Sequence, residues 1–153
     1  MSAQPNNKKP SLLISLCQTR CPRCRLGKMF TNPNPYHLKQ FMKMHDKCPV
    51  CGQHFDLEVG FYYGTGYVSY GLAIAISVAT LIIWAATIGI SVHDARVLYW
   101  LIFNGILLVV LQPYLMRLAR TLWLSLFVGY DAQWRERPAE APERINDSIK
   151  NNW

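Results

Sequence analysis

The sequence predicts a small α-helical membrane protein, in which a two-helix transmembrane hairpin carries an N-terminal zinc ribbon and leads into an interfacial helix. Two observations indicate this fold class. Residues 59–92 and 97–116 contain no charged side chain, and each run reaches the roughly 20 residues that a helix needs to cross a membrane. Four cysteines precede them in two Cys-Pro-x-Cys motifs, a pattern typical of a tetrahedral zinc site.

The composition of the chain fits a membrane hairpin combined with a small metal-binding region. Charged residues make up 16% of the 153 residues, whereas soluble domains average about 25%. The length leaves room for one small domain beside the hairpin. The predicted segments are a lead-in (1–19), the ribbon (20–58), the first transmembrane helix with aromatic residues at its start (59–92), a turn (93–96), the second transmembrane helix (97–116), an interfacial helix (117–130) and a polar cytoplasmic tail (131–153).

Cysteines provide the main functional motif. Cys21-Pro-Arg-Cys24 and Cys48-Pro-Val-Cys51 are separated by 23 residues, and each motif turns two thiolates toward one point. Two such pairs supply the four soft ligands of a closed Zn²⁺ site, which leaves no open coordination position for a substrate. The predicted ligands are therefore Cys21, Cys24, Cys48 and Cys51, and the predicted role of the metal is structural.

Iron is the alternative metal. The second motif, with Gly52 after it, resembles the second knuckle of rubredoxins, whose four-cysteine iron centre carries single electrons. The first motif departs from that pattern, because Arg25 stands where rubredoxins usually have glycine. Residues 1–58 also hold nine basic and three acidic side chains, a balance of +6, whereas rubredoxins keep an acidic surface. Zinc is therefore favoured over a rubredoxin-like membrane electron carrier.

Other potential ligands near the motifs are predicted to lie outside the metal site, because four thiolates complete a tetrahedron. Cys17 is predicted to be a spare thiol at the end of a short amphipathic lead-in. The His-Asp pair in the turn is too sparse a ligand set for a metal. The residues left outside are Cys17, His37, His45, His54, His93 and Asp94.

The two spans contain features typical of helix packing. Gly71, Ala75 and Ala79 recur every four residues and share one helix face. Small residues let a second backbone approach closely, so this face is predicted to pack against the second span, with a partner protein as the alternative. Asn104 and Gln112 are polar amides within an apolar helix, and they are predicted to face another helix.

The segment after the second span is apolar but carries two cations. Arg117 and Arg120 lie three residues apart, on one side of a helix that also contains Trp123. This pattern predicts an interfacial helix whose arginines contact anionic lipid headgroups. A third membrane crossing is disfavoured because the uncharged part of the segment is too short.

Lysine and arginine are distributed unevenly around the two spans. Nine precede the first span, only Arg96 lies between the spans, and six follow the second. The positive-inside rule therefore predicts that both termini are cytoplasmic and that the turn at 93–96 is periplasmic. This topology, in a bacterial inner membrane, keeps the cysteines in a reducing compartment, where metal ligation is favoured over disulfides.

The basic N-terminal region also allows a nucleic-acid hypothesis. Zinc ribbons often serve in that role, and Phe30, Tyr36 and Phe41 are candidates for stacking on bases. The same charges are explained by topology and by anionic lipid headgroups. Nucleic acid is therefore a disfavoured partner, and a membrane-tethered nucleic-acid-binding ribbon stays an alternative.

The motifs together resemble the bacterial DUF983 family of small membrane proteins. The resemblance rests on Cys-Pro-Arg-Cys-Arg-Leu-Gly-Lys-Met-Phe, Cys-Pro-Val-Cys-Gly-Gln-His-Phe and Gly-Phe-Tyr-Tyr-Gly, together with two spans and Gln112-Pro113, and it covers most of residues 20–130. The biochemical function of the family is not established. Some members lie among genes for cytochrome oxidase subunits and assembly factors, so the resemblance implies, by association only, an accessory role in a respiratory complex.

The sequence favours a non-enzymatic function. It shows no Ser/His/Asp set, no paired carboxylates and no phosphate-binding glycine loop. We therefore expect an accessory or scaffold protein whose partners are the lipid bilayer, anionic headgroups and a larger membrane protein complex.

Overall fold

The computed structural model describes residues 11–90 and 94–139. Its helices are α1 (Leu12–Cys17), α2 (Thr65–Thr87) and α3 (Arg96–Phe127), and a 3₁₀ turn (Phe61–Gly64) leads into α2. Three isolated antiparallel bridges hold the chain between α1 and the 3₁₀ turn: Arg20–Lys28, Phe30–Met44 and Lys47–His54. The mostly helical fold is as predicted, whereas within the described residues the expected ribbon consists of single bridges rather than strands.

Helices α2 and α3 pack antiparallel as a hairpin. Their 23 and 32 residues make them about 34 and 48 Å long at 1.5 Å per residue. By length and composition, both are apolar enough to cross a membrane. Their outer surfaces carry exposed aliphatic side chains such as Ile82, Ile83 and Val109. These features fit a pair of membrane-spanning helices.

A polar contact fixes how the two helices face each other. The Asn104 side chain is buried, and its amide donates to Ser77 Oγ at 3.1 Å while its carbonyl oxygen accepts from Thr80 Oγ1 at 3.1 Å. Trp100 Nε1 adds a longer hydrogen bond to Thr80 Oγ1, at 3.4 Å. Asn104 therefore faces the neighbouring helix, whereas Gln112 is exposed and does not.

The small residues of α2 point away from α3. Gly71, Ala75 and Ala79 are exposed, and a Cβ added at Gly71 would meet no atom within 4 Å. The prediction that this face packs within the hairpin is therefore wrong. The physical reason is that the Asn104 contact rotates α2 so that Ser77 faces α3. Packing of the small face against a partner protein stays a prediction.

Replacing Asn104 by leucine is expected to lower the free energy of unfolding of the hairpin by about 1 kcal/mol, the usual strength of an interhelical hydrogen bond in membranes. The loss is limited because Ser77 and Thr80 also bond to carbonyls of their own helix. Unfolding of the purified protein by SDS in mixed micelles would measure it. The matched control is Gln112→Leu, which removes an exposed amide from the same helix, and equal effects of the two substitutions would contradict the contact.

Helix α3 continues past the predicted end of the second span. It contains Pro113 and runs without interruption to Phe127, so the predicted boundary between residues 116 and 117 is absent. Its length of about 48 Å exceeds the roughly 30 Å thickness of a hydrocarbon core. The last turns accordingly pack into the predicted ribbon region (residues 20–58, hereafter the cysteine domain). The fully buried Leu124 belongs to the same hydrophobic cluster as Phe30 and Phe55.

The described part of the tail, residues 131–139, folds back onto the cysteine domain. Trp134 packs against the hydrophobic cluster of that domain. Asp131 forms a salt bridge with Arg23, with 3.2 Å between Oδ2 and Nη2. An aromatic and an acidic side chain therefore anchor the described part of the predicted polar tail to the cysteine domain.

Candidate metal centre

The structure brings the four predicted cysteine ligands together. Their Sγ atoms all lie within 4.8 Å of one another. The Sγ–Sγ distance is 3.8 Å between Cys21 and Cys51 and 3.7 Å between Cys24 and Cys48. Zn–S bonds of about 2.3 Å in a tetrahedron give S–S edges of about 3.8 Å. The donor set and its spacing therefore fit a tetrahedral ion with four thiolate ligands.

Backbone amides turn toward each sulfur. The N–H groups of Cys24 and Gly27 donate to the sulfurs of Cys21 and Cys24, and those of Cys51 and Gln53 donate to the sulfurs of Cys48 and Cys51. Such hydrogen bonds stabilise the negative charge of a thiolate. The two motifs thus supply both the ligands and the dipoles that compensate them.

Hydrogen bonds within the cluster shift the pKa values of the four thiols in opposite directions. The thiol of Cys21 lowers the pKa of Cys24 well below its usual value and lowers the pKa of Cys48 to about 7. Hydrogen bonding to Cys24 raises the pKa of Cys21 itself. The lowered pKa values of Cys24 and Cys48 favour the thiolate form that a divalent cation binds.

Each motif is closed by one bridge and one left-handed residue. The Arg20–Lys28 and Lys47–His54 bridges bracket the first and second motifs. The residue after each second cysteine has positive φ, 59° at Arg25 and 72° at Gly52. Glycine adopts this conformation without strain, whereas an arginine does not. The Arg25 guanidinium lies 4.3 Å from the Tyr130 ring centre, a cation–π contact that offsets part of the strain.

The other potential ligands lie outside the sulfur cluster. Cys17 is exposed at the end of α1, where its carbonyl accepts a hydrogen bond from the Tyr114 hydroxyl at 2.9 Å. Among the described residues, the only candidate group of metal ligands consists of the four cysteines, so it includes neither His54 nor His45. His37 and Asp94 are exposed and also stand apart, and His93 lies outside the described residues.

Arg117 and Arg120 contact the cysteine domain rather than solvent. Arg117 is only 2% exposed, and its guanidinium donates to the carbonyls of Phe41 at 2.6 Å, Asn32 at 2.9 Å and Asn34 at 3.1 Å. Arg120 is 6% exposed and donates to the carbonyl of Met42 at 3.4 Å. The predicted headgroup contact is therefore wrong for both, because the carbonyls of residues 32–42 (hereafter the carbonyl loop) supply the oxygen acceptors.

The three aromatic residues considered for base stacking do not form one surface. Phe30 is buried, and the Arg117 guanidinium lies 4.7 Å from its ring centre. Tyr36 is exposed and Phe41 is partly buried. Since stacking requires accessible ring faces, the structure removes Phe30 from that hypothesis.

Arg23 has a structural role that sequence reasoning missed. It lies between the ligands of the first motif and is buried. Its Nη2 donates to Asp131 at 3.2 Å and to the carbonyls of Arg137 at 2.9 Å and Pro138 at 3.2 Å. The metal motif is thereby connected to the described part of the tail. No local pattern in the sequence pointed to a contact over more than 100 residues.

Gly27→Ala is expected to lower metal affinity 10- to 100-fold, the range typical of residues that support metal ligands. A Cβ at this position would overlap Cys48 Sγ, and the same residue donates its N–H to Cys24 Sγ. Competition with a chromogenic chelator would measure the affinity. Gly129→Ala is the matched control because a Cβ there meets no atom within 4 Å. Unchanged affinity in Gly27→Ala would contradict the observed close contact.

Comparison with known proteins shows a match to a protein family. The family described as "Protein of unknown function (DUF983)" matches residues 38–127, which is 90 of the 153 residues. The match includes Cys48 and Cys51, whereas Cys21 and Cys24 precede it. No curated protein and no solved structure matches the chain. Because the family match covers more than half of the sequence, the chain belongs to the DUF983 family.

Proposed function

We propose that this chain is a non-enzymatic accessory protein, anchored in a membrane, whose four cysteines hold a structural Zn²⁺. The observation that carries the proposal is the convergence of four sulfurs beside the end of α3, where the helix leaves the hairpin. Four thiolates fill a tetrahedral zinc site, and this leaves no open coordination position for a substrate. The metal would therefore act on folding rather than on chemistry.

The zinc ion would make the cysteine domain rigid. Between α1 and the 3₁₀ turn, the described chain has single bridges in place of strands, and a segment of this size forms only a small hydrophobic core. Ligation by residues from both motifs joins the two halves of the segment. The metal-bound cysteine domain would then form a rigid unit around the last turns of α3.

Membrane insertion is supported by the apolar surfaces of α2 and α3. The lysine and arginine count of nine, one and six favours cytoplasmic termini in a bacterial inner membrane. Fusions of a phosphatase reporter to the C-terminus are expected to be inactive, whereas insertion of the same reporter between α2 and α3 is expected to give activity. The reverse result would refute the topology.

A larger membrane protein complex is the partner in this proposal. The exposed face formed by Gly71, Ala75 and Ala79 offers a surface on which a helix of another protein can approach closely. The suggestion that the complex is respiratory rests on the family resemblance alone. In this arrangement the cysteine domain lies beside the membrane, and the hairpin contacts the partner protein inside the membrane.

Metal analysis and extraction test the proposal. The protein is expected to stay in the membrane during a carbonate wash, to carry about one zinc per chain by the four-ligand rule, and to co-purify with larger membrane proteins in mild detergent. Stoichiometric iron with ferric–thiolate absorption would refute the structural-zinc proposal and favour the alternative of an electron carrier. Release by carbonate would refute the membrane anchor. Isolation as a free monomer would refute the accessory role, and salt-dependent nucleic-acid binding would then test the alternative.

A further inference from the structure

A basic pocket lies between α1, the cysteine domain and α3. Its volume is about 420 Å³, and its walls include the cations Arg20, Lys28 and Arg117 as well as the Tyr114 side chain. Among the residues that the structure describes, those that line the pocket include no carboxylate. Pockets for small ligands typically measure roughly 300–1,000 Å³. The pocket is therefore large enough for a ligand and selects for negative charge.

The register of the hairpin shows at what depth this pocket lies. Asn104 is bonded to Ser77, and the two helices run antiparallel with the same rise per residue. Tyr114, ten residues further along α3, is therefore level with Tyr67, and Tyr70 lies within one turn of that level on α2. Both rings are exposed, by 83% and 69%. Exposed tyrosines at the end of an apolar helix are typical of the membrane–water interface, so the pocket lies at headgroup depth.

Helix α1 places exposed apolar side chains within about one turn of a residue that lines the pocket, Cys17. The Tyr114 hydroxyl donates to the Cys17 carbonyl at 2.9 Å, and this bond ties the end of α1 to α3. Leu13 and Ile14, one turn before Cys17, are 73% and 58% exposed. Apolar side chains that flank a basic pocket match a ligand with a charged head and an apolar body.

The pocket has cations available for such a ligand. Lys28 is exposed, and the Nη1 of Arg20 donates a long hydrogen bond to the Leu26 carbonyl, at 3.4 Å. Within the part of the chain that the structure describes, the hydrogen bonds of Arg117 go to neutral carbonyls, which do not cancel its charge. Its positive field therefore reaches the pocket although its N–H groups are occupied.

We propose that this pocket binds the phosphate headgroup of an anionic phospholipid, in the leaflet that faces the metal centre. Arg20 and Lys28 contact the phosphate, and the apolar side chains of α1 lie beside the acyl chains. The inference rests on the membrane anchor proposed above. In this arrangement, cations that precede the hairpin in sequence make the headgroup contact that the sequence predicted for Arg120. Arg120 itself is buried against the carbonyl loop.

Lipid titration of the full-length, zinc-loaded protein in mild detergent tests the proposal, with binding read by native mass spectrometry. The probes are short-chain phosphatidylglycerol, short-chain phosphatidylcholine and inorganic phosphate. Phosphatidylglycerol is expected to bind most tightly. The double variant Arg20→Gln/Lys28→Gln is expected to lose about 25-fold in affinity, since each cation contributes roughly a five-fold factor. The matched control, Lys47→Gln/Arg135→Gln, removes two exposed cations that do not line the pocket.

The probes separate the explanations. Equal loss in both double variants would show a diffuse charge effect and overturn the proposal. Equal binding of the two lipids, or phosphate binding as tight as lipid binding, would overturn it as well. These two comparisons use the wild-type protein and therefore do not depend on the folding of a variant. A carbonate wash of the membranes tests the anchor independently, so a failure of the proposed function is distinguishable from a failure of this pocket.

Discussion

Cys48→Ser is expected to abolish stoichiometric metal binding and to unfold the cysteine domain, while the hairpin remains helical. The Cys48 sulfur is buried, 3.7 Å from that of Cys24, and a serine hydroxyl is a poor replacement for a thiolate ligand. Structural zinc contributes about 10–16 kcal/mol to the folding of zinc-finger peptides. Elemental analysis would give the metal content, and limited proteolysis would show cleavage within residues 20–58.

Cys17→Ser is the matched control for this prediction. It replaces the same element at an exposed position outside the sulfur cluster, so metal content and protease resistance are expected to be unchanged. Loss of metal in this control, together with retention in Cys48→Ser, would overturn the ligand assignment. Retention of a full metal equivalent in both variants would show that the ion is bound elsewhere.

The candidate metal site could be predicted because the geometry of each Cys-Pro-x-Cys motif is local. Two cysteines separated by two residues are brought together by one turn, and the remaining amides of that turn point at the sulfurs. Only the meeting of the two motifs depends on tertiary structure. The apolar helices could be predicted for a similar reason, since twenty uncharged residues in a row need an apolar surrounding wherever they lie.

The role of the α3 arginines could not be predicted, because it depends on a distant segment. Lipid phosphates and backbone carbonyls both offer oxygen acceptors to a guanidinium. The sequence around Arg117 is compatible with either acceptor, and the choice is made by the carbonyl loop, more than 70 residues earlier. The same limitation applies to Gly71, since the rotation of α2 is fixed by Asn104 rather than by the small residues themselves.

Arg117→Gln is expected to lower the free energy of unfolding of the cysteine domain by about 3 kcal/mol, because three backbone carbonyls lose a charged, buried donor. The planar guanidinium reaches three carbonyls of the loop, those of Phe41, Asn32 and Asn34. Arg117→Lys keeps the charge but not the fork of donors, so an intermediate loss is expected. Urea unfolding of the zinc-loaded protein would give the energies, and hydrogen exchange would show faster opening of residues 32–42.

The matched control for Arg117→Gln is Arg96→Gln, at the other end of the same helix. Arg96 also donates to a carbonyl, that of Ile88 at 3.0 Å, but it is exposed, and the expected change is below about 0.5 kcal/mol. Equal stability of the two variants, with unchanged exchange in the carbonyl loop, would mean that the loop does not need Arg117. The headgroup contact predicted from the sequence would then again be the better explanation for an arginine at this depth. A loss confined to Arg117→Gln would instead establish that α3 holds the cysteine domain against the membrane end of the hairpin.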